Sequence, residues 1–387
     1  MNIRIHKVIT AIFMLLTSIS FANSTGIETK KSTSTPTEVK PKKKETIKVA
    51  LLLDTSNSMD GLIKQAKTQL WEIVNELSYA KYGIKKPDLE IALYEYGNDR
   101  LERADGYIRQ VLPFSNDLDE ISEKLFSLTT NGGKEYCGEV ITSSVNDLNW
   151  GKNKNDLRLI FIAGNEPFTQ GKINYKEAIA DAKEKDVIIN TIYCGSYNTG
   201  ISGMWKDGAE LGGGDYMTID QDKNIIQIVT PFDRDIIILN NKLNGTYIYF
   251  GSTGKNMMMR QKAQDENATN MSAPVGVKRA VSKSSRFYDN SKWDLVDKSE
   301  KEEIDYKNLD RKKLPEKLQN MTEEELKAHV EKQKKIRNEI KGQISELNKK
   351  RRAYVAKKQR ESMKNGELNN VMIKAIKKQA EKKNYSW

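Results

Sequence analysis

Short apolar runs alternate with stretches of helical periodicity along most of this chain. Val49 to Leu53 is a continuous apolar run, too short for a helix and typical of a strand buried on both faces of a parallel sheet. Gly61 to Ala80 follows with apolar residues three and four positions apart, which predicts an amphipathic helix. Further strands are predicted at Leu89 to Tyr96, Tyr107 to Phe114, Leu157 to Ala163, Val187 to Tyr193 and Tyr216 to Ile219. Further helices are predicted at Leu118 to Leu128, Val140 to Leu148, Tyr175 to Lys185 and Ile225 to Val229, the last extending to Leu239 in a longer interpretation.

This alternation predicts a doubly wound α/β domain over residues 47–250. Strands separated by helices of this length need crossover connections, which give a mainly parallel sheet with helices on both faces. The strands predicted at Leu89 and Tyr107 are close enough in sequence to form a hairpin or edge pair. In such a sheet ligands bind at the carboxyl ends of the central strands, so the residues after Leu53 are the first candidates for a site.

Asp54, Ser56 and Ser58 form a D-x-S-x-S motif directly after the first predicted strand. In this context the motif resembles the metal-ion-dependent adhesion site of von Willebrand factor type A (vWA) domains. The resemblance implies a vWA fold, in which these residues bind Mg²⁺ or another divalent cation and a protein ligand supplies a carboxylate to the vacant position. Carboxylate and hydroxyl oxygens suit such a hard cation. The alternative is that Asp54 and Ser56 only cap the following helix.

The rest of the motif departs from the vWA pattern. The usual threonine falls at Lys134 or Glu135, and the usual aspartate falls at Gly164. Three nearby side chains carry oxygens that would complete a partly degenerate site: Glu135, Asn165 and Glu166. Thr129 and Thr130 are weaker candidates, and Lys134 could instead take the place of the cation by pairing with Asp54.

The first residues of the chain have the pattern of a secretory signal peptide. Met1 to Lys7 contains two basic residues, and the apolar run Val8 to Phe21 is followed by a small-x-small site, which predicts cleavage after Ala22. The run is short for a bilayer span, although an uncleaved anchor is the alternative. We therefore expect a periplasmic or secreted protein with a signal peptide at residues 1–22. Residues 23–46 are rich in Ser, Thr, Pro and Lys, which predicts a disordered linker.

The chain has two cysteines: Cys137 opens the third predicted helix beside the site, and Cys194 ends a predicted central strand on the same edge of the sheet. Export to an oxidising compartment favours a disulfide between them that braces the site. In the chain-entropy model such a bond stabilises by about 3 to 5 kcal/mol. Two buried free thiols are the alternative.

The residues after the α/β domain are predicted to form a charged helical C-terminal extension. Residues 251–321 are predicted to be an irregular docking segment. Residues 251–284 lack a clear period, and an aromatic cluster at Phe287, Tyr288 and Trp293 is expected to pack on the domain. Residues 322–387 are predicted to be a basic helical tail, beginning at a capping box of Thr322 and Glu325, broken at Asn365 and Gly366, and continued by Leu368 to Lys383. We expect truncation at Asp297 to leave a folded α/β domain.

Charge suggests a partner for this tail. The net charge is +11, and residues 298–387 contain 26 Lys and Arg against 15 Asp and Glu. The tail is either a solvated helical face or an attachment to an anionic envelope surface such as phospholipid head groups or cell-wall polymers. Nucleic acid is not expected as a partner because the protein is predicted to be exported.

The sequence favours binding over catalysis. The two histidines, His6 and His329, lie outside the α/β domain, and no phosphate-binding G-x-x-x-x-G-K-[ST] loop is present. We interpret the chain as a non-enzymatic vWA protein that mediates protein binding, adhesion or scaffolding in the cell envelope. The alternative is a structural envelope component with a vestigial metal site that acts through its basic tail. A metal-dependent hydrolase is a third, weaker hypothesis.

Overall fold

The computed structural model describes residues 44–220, 227–362 and 368–387. The predicted signal peptide, most of the predicted linker, and the predicted helix break at Asn365 and Gly366 lie outside the described residues. The last residues of the linker, 44–46, are described, and they belong to the folded part: Glu45 is buried, and the first strand begins at Thr46.

The described strands form one large sheet and one small one. They are β1 (Thr46–Asp54), β2 (Lys81–Tyr82), β3 (Asp88–Tyr96), β4 (Ile108–Ser115), β5 (Leu157–Gly164), β6 (Ile188–Cys194), β7 (Gly213–Ile219) and β8 (Tyr385–Ser386). The large sheet has the order β4-β3-β1-β5-β6-β7, and every pair in it is parallel except β3 with β4. The predicted mainly parallel sheet with an antiparallel edge pair is therefore confirmed.

The described helices are α1 (Asp60–Leu77), α2 (Leu118–Phe126), α3 (Cys137–Asp147), α4 (Tyr175–Glu184), α5 (Tyr197–Ser202), α6 (Trp205–Leu211), α7 (Asp233–Asn244), α8 (Gly254–Met271), α9 (Ala273–Ser284), α10 (Leu295–Ser299), α11 (Glu316–Gln319), α12 (Glu323–Ser362) and α13 (Leu368–Glu381). The helix predicted from Ile225 begins later, at Asp233, where the Asp233 carboxylate accepts hydrogen bonds from Thr230. Ile225 itself lies outside the described residues. Among the described helices, none is long and apolar enough to cross a membrane.

Both faces of the large sheet are covered. Val49, Leu51 and Leu53 of β1 face a core that also contains α1, whereas Ala50 and Leu52 face a second core that also contains α3. Because side chains of a strand alternate between the two faces of a sheet, the continuous apolar run of β1 contributes residues to both cores. This doubly wound arrangement is the one that the sequence predicts.

The segment after the α/β core is helical where an irregular structure was predicted. Residues 254–284 form α8 and α9, and α8 was hard to predict because its buried positions include the polar Gln261 and Gln264 beside Ala268. Gln264 of α8 is buried and accepts a hydrogen bond of 2.7 Å from the Ser122 hydroxyl. A helix that packs through such groups has no apolar stripe for the sequence to reveal. The predicted docking of Phe287, Tyr288 and Trp293 is confirmed, since all three are buried in the α1 core.

The basic tail is part of the fold. The predicted capping box is present: the backbone N–H of Thr322 donates to Glu325, and that of Glu325 donates to the Thr322 hydroxyl. From α12, Ile340 and Ile344 enter the α1 core, and α13 adds four buried residues to it. These are Met372, Ala375, Ile376 and Ala380. The tail is therefore not simply a solvated face, because α12 packs on α7, α9 and α10, and α13 packs on α1 and β7.

Candidate metal centre

The D-x-S-x-S residues lie at the carboxyl edge of the sheet. Asp54 ends β1, between β3 and β5, and its side chain is fully buried. The backbone N–H of Ser56 donates to Asp54 Oδ1 at 2.7 Å, which folds the loop back on the strand end. The hydroxyl oxygens of Ser56 and Ser58 are 3.2 Å apart. The loop therefore collects one carboxylate and two hydroxyls, as the sequence predicts.

The capping interpretation of these residues is wrong. The N-terminal residues of the short 3₁₀ turn at Asn57–Met59 and of α1 make no side-chain capping hydrogen bond. Asp54 and Ser56 instead bond within the loop, which leaves their remaining oxygens available to a ligand.

Glu135 is placed next to Asp54 by the loop that follows α2. Its carboxylate is buried, and the backbone N–H of Glu166 donates to its Oε2 at 3.2 Å. Gly97, which has a φ of +78°, allows this close approach: a Cβ there would lie 2.8 Å from both Asp54 Oδ1 and Glu135 Cγ. Gly97 is not among the residues that the motif indicates, although its position directly after β3 is a signal that could have indicated it.

A buried tyrosine lies beside the position at which the vWA pattern has an aspartate. The Tyr96 hydroxyl donates to the carbonyl of Ala163 at 2.9 Å. A Cβ at Gly164 would lie only 2.5 Å from that hydroxyl oxygen and 3.2 Å from Asp54 Oδ2. A larger residue at Gly164 would therefore require Tyr96 to move, which explains locally why glycine stands here. Tyr96 is not recognisable as a site residue from the sequence, since nothing in its local pattern separates it from tyrosines of the core.

The surroundings of Asp54 disfavour its charged form. Burial raises the pKa of Asp54 well above its ordinary value, and Glu135 adds to the shift through a side-chain hydrogen bond and through charge repulsion. Asp54 Oδ2 is buried and accepts no hydrogen bond from the described residues. An unsatisfied buried oxygen is costly, so this atom is where a cation would be stabilising.

Of the other candidates, Asn165 contacts the D-x-S-x-S loop, whereas the Glu166 side chain is turned away from it. Asn165 Nδ2 donates to the Ser58 hydroxyl at 3.1 Å, while its Oδ1 is buried without a hydrogen bond to the described residues. The Glu166 carboxylate accepts a hydrogen bond from Gln170 at 3.2 Å, and only its backbone N–H contacts Glu135. Within the described part of the chain, Lys134 forms no ion pair with Asp54, so it does not take the place of a cation.

The donor set is one of hard oxygens. Among the described residues no group of three or more His, Cys, Asp or Glu side chains is placed to hold a metal. Two carboxylates supplemented by hydroxyl and amide oxygens nevertheless suit Mg²⁺, Mn²⁺ or Ca²⁺ better than a thiolate-preferring metal. The residues that would hold such a cation are Asp54, Ser56, Ser58, Glu135 and Asn165.

The predicted disulfide is wrong. Both cysteines are free and buried. Cys137 packs in the α3 core, with its sulfur 3.9 Å from the Tyr96 hydroxyl, whereas Cys194 packs in the α1 core on the other face of the sheet. Two side chains on opposite faces of a sheet do not meet the close geometry that a disulfide needs. Burial raises the pKa of both thiols well above the ordinary value, which keeps them protonated.

Comparison with known proteins gives matches of two kinds. Residues 48–200 match the family model of the von Willebrand factor type A domain. BatB from Bacteroides thetaiotaomicron is similar in structure, with a TM-score of 0.34, 18% identity, and coverage of 45% of this chain and 90% of that one. The vWA domain of SpRpn10 has a TM-score of 0.34 and 16% identity, over 46% of this chain and 88% of that chain. Proximal thread matrix protein 1 from the mussel byssus, described with a zinc-occupied MIDAS motif, has a TM-score of 0.35 and 13% identity, over 46% of this chain and 43% of that chain. No curated protein matches this chain.

Proposed function

We propose that this chain, in which residues 48–200 form a von Willebrand factor type A domain, is a binding protein that engages a protein ligand through a divalent cation. Such domains are generally interaction modules rather than enzymes. The cation would be held by Asp54, Ser56 and Ser58 together with Glu135 and Asn165. A position left open to solvent would take an oxygen of the ligand, and the cation would supply the positive charge that holds it.

The buried carboxyl pair is the observation that carries this proposal. Asp54 and Glu135 are adjacent and buried, and Asp54 Oδ2 has no hydrogen-bond partner in the described residues. Burial and the neighbouring Glu135 both raise the pKa of Asp54, so the ionised form of Asp54 is disfavoured when no cation is bound. A divalent cation would neutralise both charges and satisfy the free oxygen.

With Glu135 in place of the usual threonine, the site would carry one more negative charge. An ionised Asp54 and an ionised Glu135 together balance the charge of a divalent cation, whereas threonine would leave one positive charge uncompensated. We therefore expect the site to hold its cation without help from a ligand. The ligand oxygen would then be bound through coordination more than through net charge, which favours a carbonyl or hydroxyl group as much as a carboxylate.

Cation binding by the full chain tests the site directly. We expect isothermal titration with Mn²⁺ or Mg²⁺ to show one site, Asp54→Ala to abolish it, and Glu135→Gln to weaken it by at least about tenfold because a charged ligand is lost. Glu166→Gln is the matched control and should bind as the unmodified chain does, since the Glu166 carboxylate is turned toward Gln170. Absence of heat for Mg²⁺, Mn²⁺ and Ca²⁺ in the unmodified chain would reject the cation site.

The variant Asp54→Ala also distinguishes ligand binding through the cation site from a structural role of the C-terminal helices. Asp54→Ala should fold normally, because removing one of two adjacent buried carboxyls relieves repulsion, and its melting curve checks this. In crosslinking pull-downs from intact cells, a ligand of the site should be lost both with Asp54→Ala and with a chelator. A partner retained under both conditions would favour a structural component that acts through the C-terminal helices.

We propose in addition that the protein works outside the cytoplasm, in the periplasm or as a secreted protein. The basis is the signal-peptide pattern of residues 1–22. Mass spectrometry of the protein recovered from the producing cells is expected to find Asn23 as the first residue. A first residue upstream of Val8 would contradict cleavage.

A further inference from the structure

The exposed side of α12 carries a stripe of charges that changes sign along the helix. The stripe consists of Glu339, Gln343, Glu346, Lys350, Ala353 and Lys357, and every one of these residues is exposed. Their spacing alternates between four and three residues, which places them on one face of an α-helix. The first half of this face is acidic and the second half is basic.

An open apolar groove lies beside the acidic half. It has a volume of about 700 Å³ and runs between α7 and α12. Ile238 and Leu239 contribute its apolar wall, and Ile238 is 43% exposed. Gly342 lies on the α12 side, where an added Cβ would meet no other atom within 4 Å. The groove therefore has room for a side chain from another molecule.

We propose that the charged stripe and this groove form a self-association surface, on which a second copy of the chain docks its own α12 in the antiparallel direction. With the two stripes crossing between Glu346 and Lys350, at the level of the inward-facing Asn348, each acidic residue of one copy lies opposite a basic residue of the other. The resulting pairs are Glu339 with Lys357, Glu346 with Lys350, and Gln343 with Ala353, and Tyr354 of one copy lies at the level of Gly342 of the other.

The charge pattern favours a second copy of the chain as the partner and an antiparallel direction for its α12. A parallel arrangement would place Glu339 against Glu339 and Lys357 against Lys357, which repel. The antiparallel arrangement has twofold symmetry, so every favourable pair occurs twice, as in most homodimers. The two ion pairs of the stripe would thus become four across the interface.

Residue size agrees with the same register. Gly342 and Ala353 have the smallest side chains of the surface, which lets two helices approach to the usual separation of about 8 to 10 Å. Tyr354, which is half-buried in a single copy, would lie at the level of Gly342 and could extend into the groove of the other copy. Each groove would thereby be filled by an aromatic side chain.

The charges of the stripe are largely available for this pairing. Within the described residues, no ion pair involves Glu339, Lys350 or Lys357. Glu346 pairs with Lys349 one turn away, but both side chains are mostly exposed, at 66% and 69%. Such exposed pairs are weak, so Glu346 can exchange Lys349 for a residue of the second copy.

Sedimentation equilibrium of the full chain tests the proposal through charge exchange. We expect a dimer that dissociates at least tenfold more readily in the variant Lys350→Glu/Lys357→Glu, and likewise in Glu339→Lys/Glu346→Lys. A chain with all four substitutions should regain the dimer, because the pattern is restored with opposite signs. A mixture of the two double variants should form a heterodimer, since one stripe is then entirely acidic and the other entirely basic.

The matched control is Lys327→Glu/Lys341→Glu, which changes the net charge equally but lies off the stripe. It should leave the dimer unchanged, and all variants should keep the melting temperature of the unmodified chain. A monomeric unmodified chain, or a fourfold variant that remains monomeric, would overturn the proposal. So would a finding that the lysine substitutions alter only binding to vesicles of anionic phospholipid, because the basic half would then serve a membrane surface.

Discussion

Replacing Arg337 by methionine is expected to lower the free energy of unfolding by about 3 to 5 kcal/mol, the usual cost of removing one partner from a buried ion pair. Arg337 is completely buried on α12, and its guanidinium donates to both Asp294 and Asp297 at 2.5 and 2.6 Å. It also donates to the Thr246 hydroxyl and carbonyl, and it stacks on the Tyr247 ring at 4.1 Å. Without the guanidinium, two buried carboxylates remain next to each other without compensation. Chemical denaturation of the full chain measures the loss.

An exposed arginine of the same helix provides the control. Arg352 forms an ion pair with Glu76, but half of its side chain is exposed, so Arg352→Met should cost less than about 1 kcal/mol. Neutralising the carboxylates as well, in Arg337→Met/Asp294→Asn/Asp297→Asn, should recover part of the stability lost in the single variant. Equal stability of the two single variants would show that the buried cluster does not hold α12 in place.

Truncation after Asp297 is expected to abolish the cooperative melting transition, contrary to what the sequence pattern alone suggests. The deletion removes α12 and α13, and with them the Met372 and Ile376 side chains that are buried against the α1 core. Loss of each such large side chain costs about 2 to 5 kcal/mol. It also removes Arg337 from its carboxylates. Together these losses approach or exceed the total stability of about 5 to 15 kcal/mol that a domain usually has.

A second truncation separates the contributions of the two helices. A chain that ends at Ser362 keeps α12 and its Arg337 cluster but lacks α13. We expect it to unfold at a lower temperature and to bind a hydrophobic dye, because the core residues that α13 covers become exposed. Calorimetry and dye fluorescence measure both effects. A cooperative melting transition in the chain ending at Asp297 would show that the α/β domain folds without the C-terminal helices.

Part of the candidate site follows from local sequence. Asp54, Ser56 and Ser58 are recognisable because ligand residues in one short loop after a strand keep their spacing whatever the rest of the fold does. Glu135 could be named only as one of several oxygen-bearing candidates, since it is 81 residues away from Asp54 in the chain. The choice of Glu135 over Glu166 as a candidate ligand required the tertiary structure, because only the folded loops show which of the two carboxylates lies next to Asp54.

The two cysteines show why a shared position at one edge of the sheet does not predict a disulfide. Cys137 and Cys194 are both near the carboxyl edge of the sheet, as predicted, but they lie on different faces. The face that a residue occupies depends on strand register and on how the helix start is oriented, and a shift of one residue reverses it. Proximity along one edge is therefore not sufficient to predict a bond.

By itself, the sequence determined the alternation of strands and helices, the parallel sheet and the opening loop of the site, because apolar periodicity and a five-residue motif are local properties. Only the tertiary structure decided that α8 and α9 are ordered helices, that the basic tail completes the core, and that Glu135 and Tyr96 frame Asp54. These outcomes depend on contacts between residues far apart in the chain, such as Arg337 with Asp294 or Ser122 with Gln264. Polar contacts of this kind produce no periodic pattern in the sequence, because each one joins two particular residues that become neighbours only in the folded chain.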